Sequence, residues 1–499
     1  MKNFLEKLHT PVWLFILLCL VFILRIPSFF EPYSYGDEMI YLTLGEAIRS
    51  GIPLYSEVHD NKPPLLYIMA AIAGNLFWYK AILTLWVLVT IFVFWKLSET
   101  LFPKKLKAQQ VATAIFALLT TIPLLEGNIV NAELFMIGPT ILAFYLLLNK
   151  NLTRKNLFFS GVLFSISTLF KVPAIFDFPV IIFIWIAKEK GLNKKVLSEI
   201  GRKTLILGLG FLSPIALTII WFWFKGALNE YLVAAFLQNV GYLSSFRPGD
   251  VQKPFLVKNA PLLLRAGVVF VGILILYIKK KRVSREFLFA SSWLFLSLFA
   301  VTLSERPYPH YLIQSVAPLA LLLSILFTYQ KKEQVLAILP LTLTFLVPFY
   351  FKFWYYPTYP YYARFLKLTS RQISKDEYLA TFGNHVPRNY KIADFIISLT
   401  KPYEKIFVWG ESSPIYALSR RFPPGKYVAD YHIKDFSNAE ETIKTLSSDL
   451  PSFIIILPES SSFPELEFFL RKNYGLAETI DGVEIWKLLN PKVRSLISS

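Results

Sequence analysis

Residues 12–38 read VWLFILLCLVFILRIPSFFEPYSYGDE, an apolar run to Phe30, interrupted only by Arg25 and Ser28, followed within a few residues by two adjacent carboxylates. A helix needs about 20 such residues to cross roughly 30 Å of hydrocarbon, and this run has that length. Pro27 sits where a signal peptide would need small residues for cleavage, so the run reads as a retained spanning helix. Asp37 and Glu38 then stand at its mouth.

The rest of the chain repeats the apolar half of that pattern. Of its 499 residues 55% are hydrophobic and 17% charged, more apolar surface than a soluble core can hide. Further runs fall at about residues 65–95, 108–125, 134–149, 156–170, 172–187, 204–224, 257–278, 287–304, 310–328 and 334–352. Several are short and call for tilt. Cys19 is the sole cysteine and is expected to pack within the first span, so neither a disulfide scaffold nor a cysteine zinc framework can form.

The net charge of +18 bears on orientation before it bears on partners. Its cations cluster between the runs: Lys2/Lys7, Lys96–Lys107, Lys150/Arg154/Lys155, Lys188–Lys203, Lys279–Arg285 and Lys331/Lys332. Basic loops stay on the cytoplasmic side. All six clusters share that side if residues 64–95 cross a net odd number of times. That stretch is too long for one simple helix, so Pro64–Trp78 is expected to form a half-span or interfacial helix before a crossing at 80–96. The N-terminus is then cytoplasmic, the C-terminus outside, and the number of spans odd, about 11–13. Segments 31–63, 126–133, around 171, 225–256, 305–309 and everything after about 353 face outward. Nucleic acid is not an expected partner, whereas membrane lipids are.

This divides the chain into a membrane body at 1–352, with 31–63 as first outer loop, a connector at 353–384, and an extracytoplasmic α/β domain at 385–499. Gly36–Ser50 reads as an amphipathic helix along the membrane surface. In the last domain Ile406–Trp409, Tyr427–Ala429, Phe453–Leu457 and Val483–Leu488 are strand-like. Ile415–Arg420, Ala439–Leu446 and Pro464–Asn473 are helix-like. The fold class is an α-helical polytopic membrane protein of the plasma or inner membrane with a C-terminal α/β domain.

Two carboxylates at a helix start also suit the helix dipole, which is the structural reading of Asp37-Glu38. Downstream, however, His59-Asp60-Asn61-Lys62-Pro63-Pro64 brings an imidazole, a carboxylate and an ammonium to the same membrane face. An acidic pair after the first span, Asp-x-Lys-Pro-Pro closing the first outer loop, and many spans before an exterior domain resemble the GT-C glycosyltransferases. The pattern is most similar to the branch containing the protein O-mannosyltransferases and the lipid A aminoarabinose transferases.

The resemblance covers roughly residues 10–350. It implies a polyprenyl-phosphate sugar donor, inverting transfer, and a product formed on the outer face. Asn128–Glu133 is similar to the family's second acidic site, with Glu133 and Asp60. Gly161–Lys171 resembles the segment whose lysine contacts the donor phosphate. Glu305–Tyr311 resembles the late outer loop in which Arg306, Tyr308 and His310 face the donor. Structural readings stay open beside these: a helix-end carboxylate for Glu133, a snorkelling Lys171, aromatic-belt tyrosines.

The chemistry needs this assortment. A lipid-linked sugar places a phosphate at the membrane interface, where Lys62, Lys171, Arg306 and, just inside a span, Arg265 can neutralise it. A phosphate departs without a general acid, so one base suffices: Asp37 takes the acceptor's proton, and Glu38 either fixes the loop or assists. A divalent metal ion is allowed but not required, with Asp37, His59, Asp60 and Glu133 as candidate ligands. The acceptor is a lipid, a glycan or a protein. A lipid-linked glycan flippase or a polysaccharide polymerase are the alternatives. A transporter would show repeated halves and polar groups at midplane.

Other residues carry less. Asp177, within a span, needs a cationic partner or a pathway role, and Arg25 could snorkel or pair with a loop acid. Asn151-Leu152-Thr153 fits a glycosylation pattern but on the cytoplasmic side. His9, His385 and His432 read as ordinary residues. Trp409-Gly410-Glu411 only faintly resembles the Trp-Trp-Asp run of oligosaccharyltransferases, which disfavours en bloc glycan transfer to asparagine.

Overall fold

The computed structural model describes residues 10–149, 152–241, 243, 253–329, 331–411 and 413–497. Lys2, Lys7, His9, Lys150 and Asn151 lie outside the described residues. Apolar runs become helices because in hydrocarbon every backbone polar group must be satisfied within its own segment. The membrane body comprises α1 (Val12–Arg25), α2 (Gly36–Arg49), α3 (Leu65–Ala73), α4 (Leu76–Leu101), α5 (Leu106–Leu119), α6 (Ala132–Leu148) and α7 (Arg154–Phe170). It continues with α8 (Phe178–Lys188), α9 (Lys194–Phe224), α10 (Ala260–Lys279), α11 (Arg285–Val301), α12 (Ile313–Thr328) and α13 (Lys331–Tyr350).

Among the described residues six helical stretches are long and apolar enough to cross a membrane: 12–30, 76–101, 194–224, 260–279, 309–328 and 332–350. Shorter apolar helices such as α5 and α6 run beside them. The outer helices present Leu212, Leu217, Leu264 and Phe270 at more than half exposure, a face suited to lipid rather than water. Cys19, expected to pack inside, is exposed on α1 with Ile16 and Ile23.

Two charged groups inside the bundle find hydrogen-bond partners. Arg25 is buried rather than snorkelling and donates to Gly127 O at 2.8 Å and Thr84 Oγ1 at 3.2 Å. Asp177 has no cation beside it among its hydrogen-bond partners. It accepts from Trp293 Nε1 at 3.0 Å and Gln314 Nε2 at 3.2 Å.

The body has two chemically distinct ends. At one, the basic loops meet: Lys105 lies 3.5 Å from the Tyr329 ring, Arg285 reaches Leu148 O, and Lys280 reaches Glu189 O at 2.8 Å. At the other, the segments assigned to the opposite side converge. The stretch 64–96 divides into two helices, as its length requires: α3 stops at Gly74, whose φ of 70° forms a left-handed cap, and the Asn75 side chain caps α4, which begins at Leu76, through Trp78 N–H. The α2 helix forms where the amphipathic pattern places it. It does not lie open on the membrane surface but is buried from Met39 to Gly45 between α3 and the C-terminal unit.

That unit follows a connector carrying α14 (Thr358–Thr369) and adds α15 (His385–Leu399), β1 (Ile406–Trp409), α16 (Ser413–Ser419), α17 (Asp430–Phe436) and α18 (Ala439–Ser448). It closes with β2 (Phe453–Ile456), α19 (Pro464–Asn473), β3 (Tyr474–Ile480) and β4 (Val483–Leu488). The sheet order is β1-β2-β4-β3, with β1 parallel to β2 and the other pairs antiparallel. Alternation sends Phe407 and Trp409 to a core under α18 and α19, while Ile406 and Val408 join the core shared with α15 and the membrane body.

The expected strand at Tyr427–Ala429 is instead a single parallel bridge from Tyr427 to His59, in which His59 N–H donates to Lys426 O at 2.8 Å. The fourth strand is β3. It was not foreseen because an edge strand exposed along most of its length carries little apolar alternation.

Candidate active site

A cavity of about 910 Å³ opens where the bundle meets the C-terminal unit. Its wall takes Asp37 and Tyr41 from α2, Asp60 and Lys62 from the end of the first loop, and Glu133 from α6. Lys171 after α7, Arg306, Tyr308 and His310 before α12, Arg364 from α14 and His432 from α17 also line it. Glu31, Glu411 and Asp435 line it too, so among the described residues chain segments far apart in sequence place six carboxylates and four Lys or Arg cations around one space.

Asp37 occupies the first turn of α2, where its charge suits the helix dipole. Its Oδ2 accepts from Tyr41 Oη at 2.8 Å, one turn along, and lies 3.7 Å from Lys62 Nζ. Lys62 Nζ is also 3.6 Å from Asp60 Oδ2 and 5.0 Å from the Tyr41 ring. Burial raises the Asp37 pKa, but Lys62, with His310 and the Tyr41 hydroxyl, more than offsets burial and holds it below the usual carboxylate value. Asp60 follows the same logic: burial raises it, and Lys62 and His432 bring it lower. The prolines after Lys62 fix the chain direction into α3, so the ammonium stays between the two carboxylates.

Across the cavity Glu133, in the first turn of α6, pairs with Lys171, whose ammonium lies 3.6 Å from the Tyr311 ring. His310 is buried against Glu126, which also accepts from Tyr35 Oη at 3.0 Å. Tyr308 stacks on His310 and meets Trp354 edge-on.

Behind this layer, and reaching the cavity through Glu31 and Asn128, lies a buried cluster. Lys80 Nζ bonds Glu31 at 2.7 Å, Glu38 at 2.6 Å and Asn128 O at 3.0 Å. Glu31 also accepts from Asn128 Nδ2 at 2.7 Å and Tyr361 Oη at 2.5 Å. Glu38 accepts from Val130 N–H at 2.5 Å. One lysine therefore ties α4, the first two upper loops and the connector together.

Several candidate residues sit elsewhere than expected. Glu38 does not line the cavity: neighbours on a helix point about 100° apart, so Asp37 faces the cavity while Glu38 turns down onto Lys80. Burial pushes the Glu38 carboxyl up to about 7. Arg265 also lies off the cavity, bound to Glu305 at 2.6 Å and stacked near Phe351. His59 points toward Tyr427, His432 and Phe436, and burial lowers its pKa to about 4.

The four candidate metal ligands therefore do not converge. Among the described residues no three His, Cys, Asp or Glu side chains form a metal-binding group, and the space between Asp37 and Asp60 holds an ammonium. The donor set as arranged does not fit a divalent ion.

Sequence reading missed Glu31, Lys80, Glu126, Arg364 and the site position of His432. Glu126 had one local signal, its place at the head of the 126–133 loop. Its φ of 59°, a left-handed conformation uncommon for a side chain other than Gly or Asn, is visible only in the fold.

No family model matches the chain, and no curated protein matches its sequence. Among solved structures, ArnT from Cupriavidus metallidurans bound to undecaprenyl phosphate is similar over 96% of this chain and 98% of its own. The TM-score is 0.56 at 13% identity. The chain has the GT-C fold.

The apo form of ArnT matches equally, with a TM-score of 0.56 at 12% identity over 95% of this chain and 97% of its own. The oligosaccharyltransferase AglB from Archaeoglobus fulgidus, in complex with an inhibitory peptide and a dolichol-phosphate, reaches a TM-score of 0.43 at 12% identity, covering 91% of this chain and 70% of AglB. The end-to-end coverage of ArnT extends the GT-C fold through both the membrane body and the C-terminal α/β unit.

Proposed function

We propose that the protein is an integral-membrane glycosyltransferase that moves one hexosyl or pentosyl group from a polyprenyl-phosphate carrier to a lipid, glycan or protein acceptor on the outer face. The observation that carries this reading is a half-buried Asp37, 3.7 Å from the Lys62 ammonium, sharing one cavity with Lys62, Lys171 and Arg306 at an end of the apolar bundle. The undecaprenyl phosphate bound by ArnT, which has the same fold, supports a lipid phosphate as the donor's anchor.

The donor phosphate lies against Lys171, Lys62 and Arg306, partly replacing Glu133 as the partner of Lys171. An acceptor hydroxyl or amine approaches the anomeric carbon from the face opposite the phosphate, and Asp37 accepts its proton. The acceptor–carbon bond forms as the carbon–oxygen bond to phosphate breaks, and the electron pair leaves with the polyprenyl phosphate. That leaving group needs no proton, so the cations alone stabilise it. Back-side attack inverts the anomeric centre.

The reading is tested by reconstituting the protein in liposomes with a panel of polyprenyl-phosphate sugars and candidate acceptors. Release of polyprenyl phosphate with a new, inverted glycosidic bond is the expected result. Movement of the lipid across the bilayer without a new bond would instead establish a flippase.

A further inference from the structure

At the end of the bundle opposite the candidate active site, α7 and α9 form an open, shallow cleft of about 550 Å³ lined by Arg154, Lys155, Phe158, Phe159, Arg202 and Ile206. The two helices touch backbone to backbone a little further along. A Cβ on Gly161 would lie 2.0 Å from Leu207 O, and one on Gly210 would lie 2.0 Å from Phe158 O. Arg154, Phe158 and Gly161 follow an i, i+4, i+7 stripe, and Arg202, Ile206 and Gly210 an i, i+4, i+8 stripe. Each stripe leads from a cation to the crossing, so the glycine contact brings Arg154 and Arg202 to the same cleft.

The charge there is poorly compensated. Arg154 and Lys155 open α7, whose first turn holds no acid, so they add to the positive end of the helix dipole rather than offset it. Glu199, the one acid of α9, bonds Lys203 at 2.6 Å and is shared electrostatically with Lys195 and Arg202, one carboxylate against three cations. Among the described residues no carboxylate lines the cleft. The other half of its wall is apolar, with Phe159 57% exposed and Phe158 37% exposed.

We propose that this cleft binds an anionic phospholipid, its headgroup phosphate against Arg154, Lys155 and Arg202 and its acyl chains over Phe158, Phe159 and Ile206. Cations alone would serve a free anion. Cations joined to a lipid-facing apolar wall fit an amphiphile, and the surplus positive charge favours a headgroup with net negative charge over a zwitterionic one. The site is independent of the transfer chemistry at the other end.

The test is native mass spectrometry of the full-length protein released from nanodiscs of mixed phosphatidylglycerol and phosphatidylcholine. Wild type is expected to retain phosphatidylglycerol in preference. Arg154→Gln/Lys155→Gln/Arg202→Gln, three exposed positions whose loss leaves melting unchanged, should weaken that preference about a hundredfold. A control triple change at Lys279, Lys280 and Lys281, another basic loop at the same end, should keep it. Equal retention by the cleft variant, or equal loss in the control, overturns the site. Displacement of the lipid by millimolar inorganic phosphate assigns the cleft to a free anion and overturns the phospholipid.

Discussion

The Lys62 ammonium stands 3.7 Å from the Asp37 carboxylate, close enough to decide its ionisation. Burial alone would raise the Asp37 pKa, and Lys62 is the largest contribution that lowers it. With Asp37 as the proposed base, transfer should stay level from neutral pH down to about pH 4 and fall only as pH drops through the depressed pKa. The same shift adds stability above the unfolded pKa that is lost over that lower range. In Lys62→Met the burial remains and the compensation is gone, so the acid limb of the pH–rate profile should move up by about 1 unit or more. An unmoved limb would mean that Asp37 is not the titrating base.

Lys171 and Glu133 form an ion pair on the far wall of the cavity. In the proposed function a donor phosphate competes with Glu133 for the lysine. Lys171→Met should raise the donor KM about tenfold, the loss of one charge-assisted bond. Glu133→Gln should lower it a few-fold by releasing the lysine. If Glu133→Gln raises KM as much as Lys171→Met does, the carboxylate itself contacts the donor.

Lys80 bonds both Glu31 and Glu38 with no solvent access. Removing one partner of a buried ion cluster leaves uncompensated charge, at a cost of about 3–5 kcal/mol. Lys80→Met should therefore inactivate on heating in detergent at a markedly lower temperature, and adding Glu31→Gln and Glu38→Gln should restore part of the loss. A thermal profile like wild type would remove Lys80 as the tie between the loops.

The C-terminal unit docks through His59 and His432, which are buried, and burial lowers both pKa values. For His59 the folded value is about 4 against an ordinary 6.5. The unfolded or undocked state takes up its proton first, so this contribution to docking is intact above about pH 6.5 and is lost as pH falls toward about 4. Protease accessibility of the C-terminal unit should rise over that window, and His59→Gln, whose side chain takes up no proton, should flatten the rise. A pH-independent pattern in wild type would contradict the docking role.

These residues also mark what sequence can carry. The division of the chain into two ends is legible because basic loops recur between apolar runs, and Asp37, Lys62, Glu133, Lys171 and Arg306 could be gathered on one side from that alone. Glu38 could not be separated from Asp37, since only the rotation of α2 sends one carboxylate to the cavity and the other to Lys80. Lys80 was hidden within an apolar run, with Glu31 49 residues away in sequence. His432 was invisible for the same reason: its contact with Asp60, 3.5 Å from Nε2 to Oδ1, depends on a docking that no local pattern encodes.

The central claim rests on Asp37 as the base in sugar transfer from a polyprenyl phosphate. The most direct measurement is single-turnover transfer by reconstituted wild type and Asp37→Asn at matched expression and saturating donor. The account predicts a loss of about 10²–10⁴-fold in the rate with donor binding retained. Unchanged turnover in Asp37→Asn would contradict it.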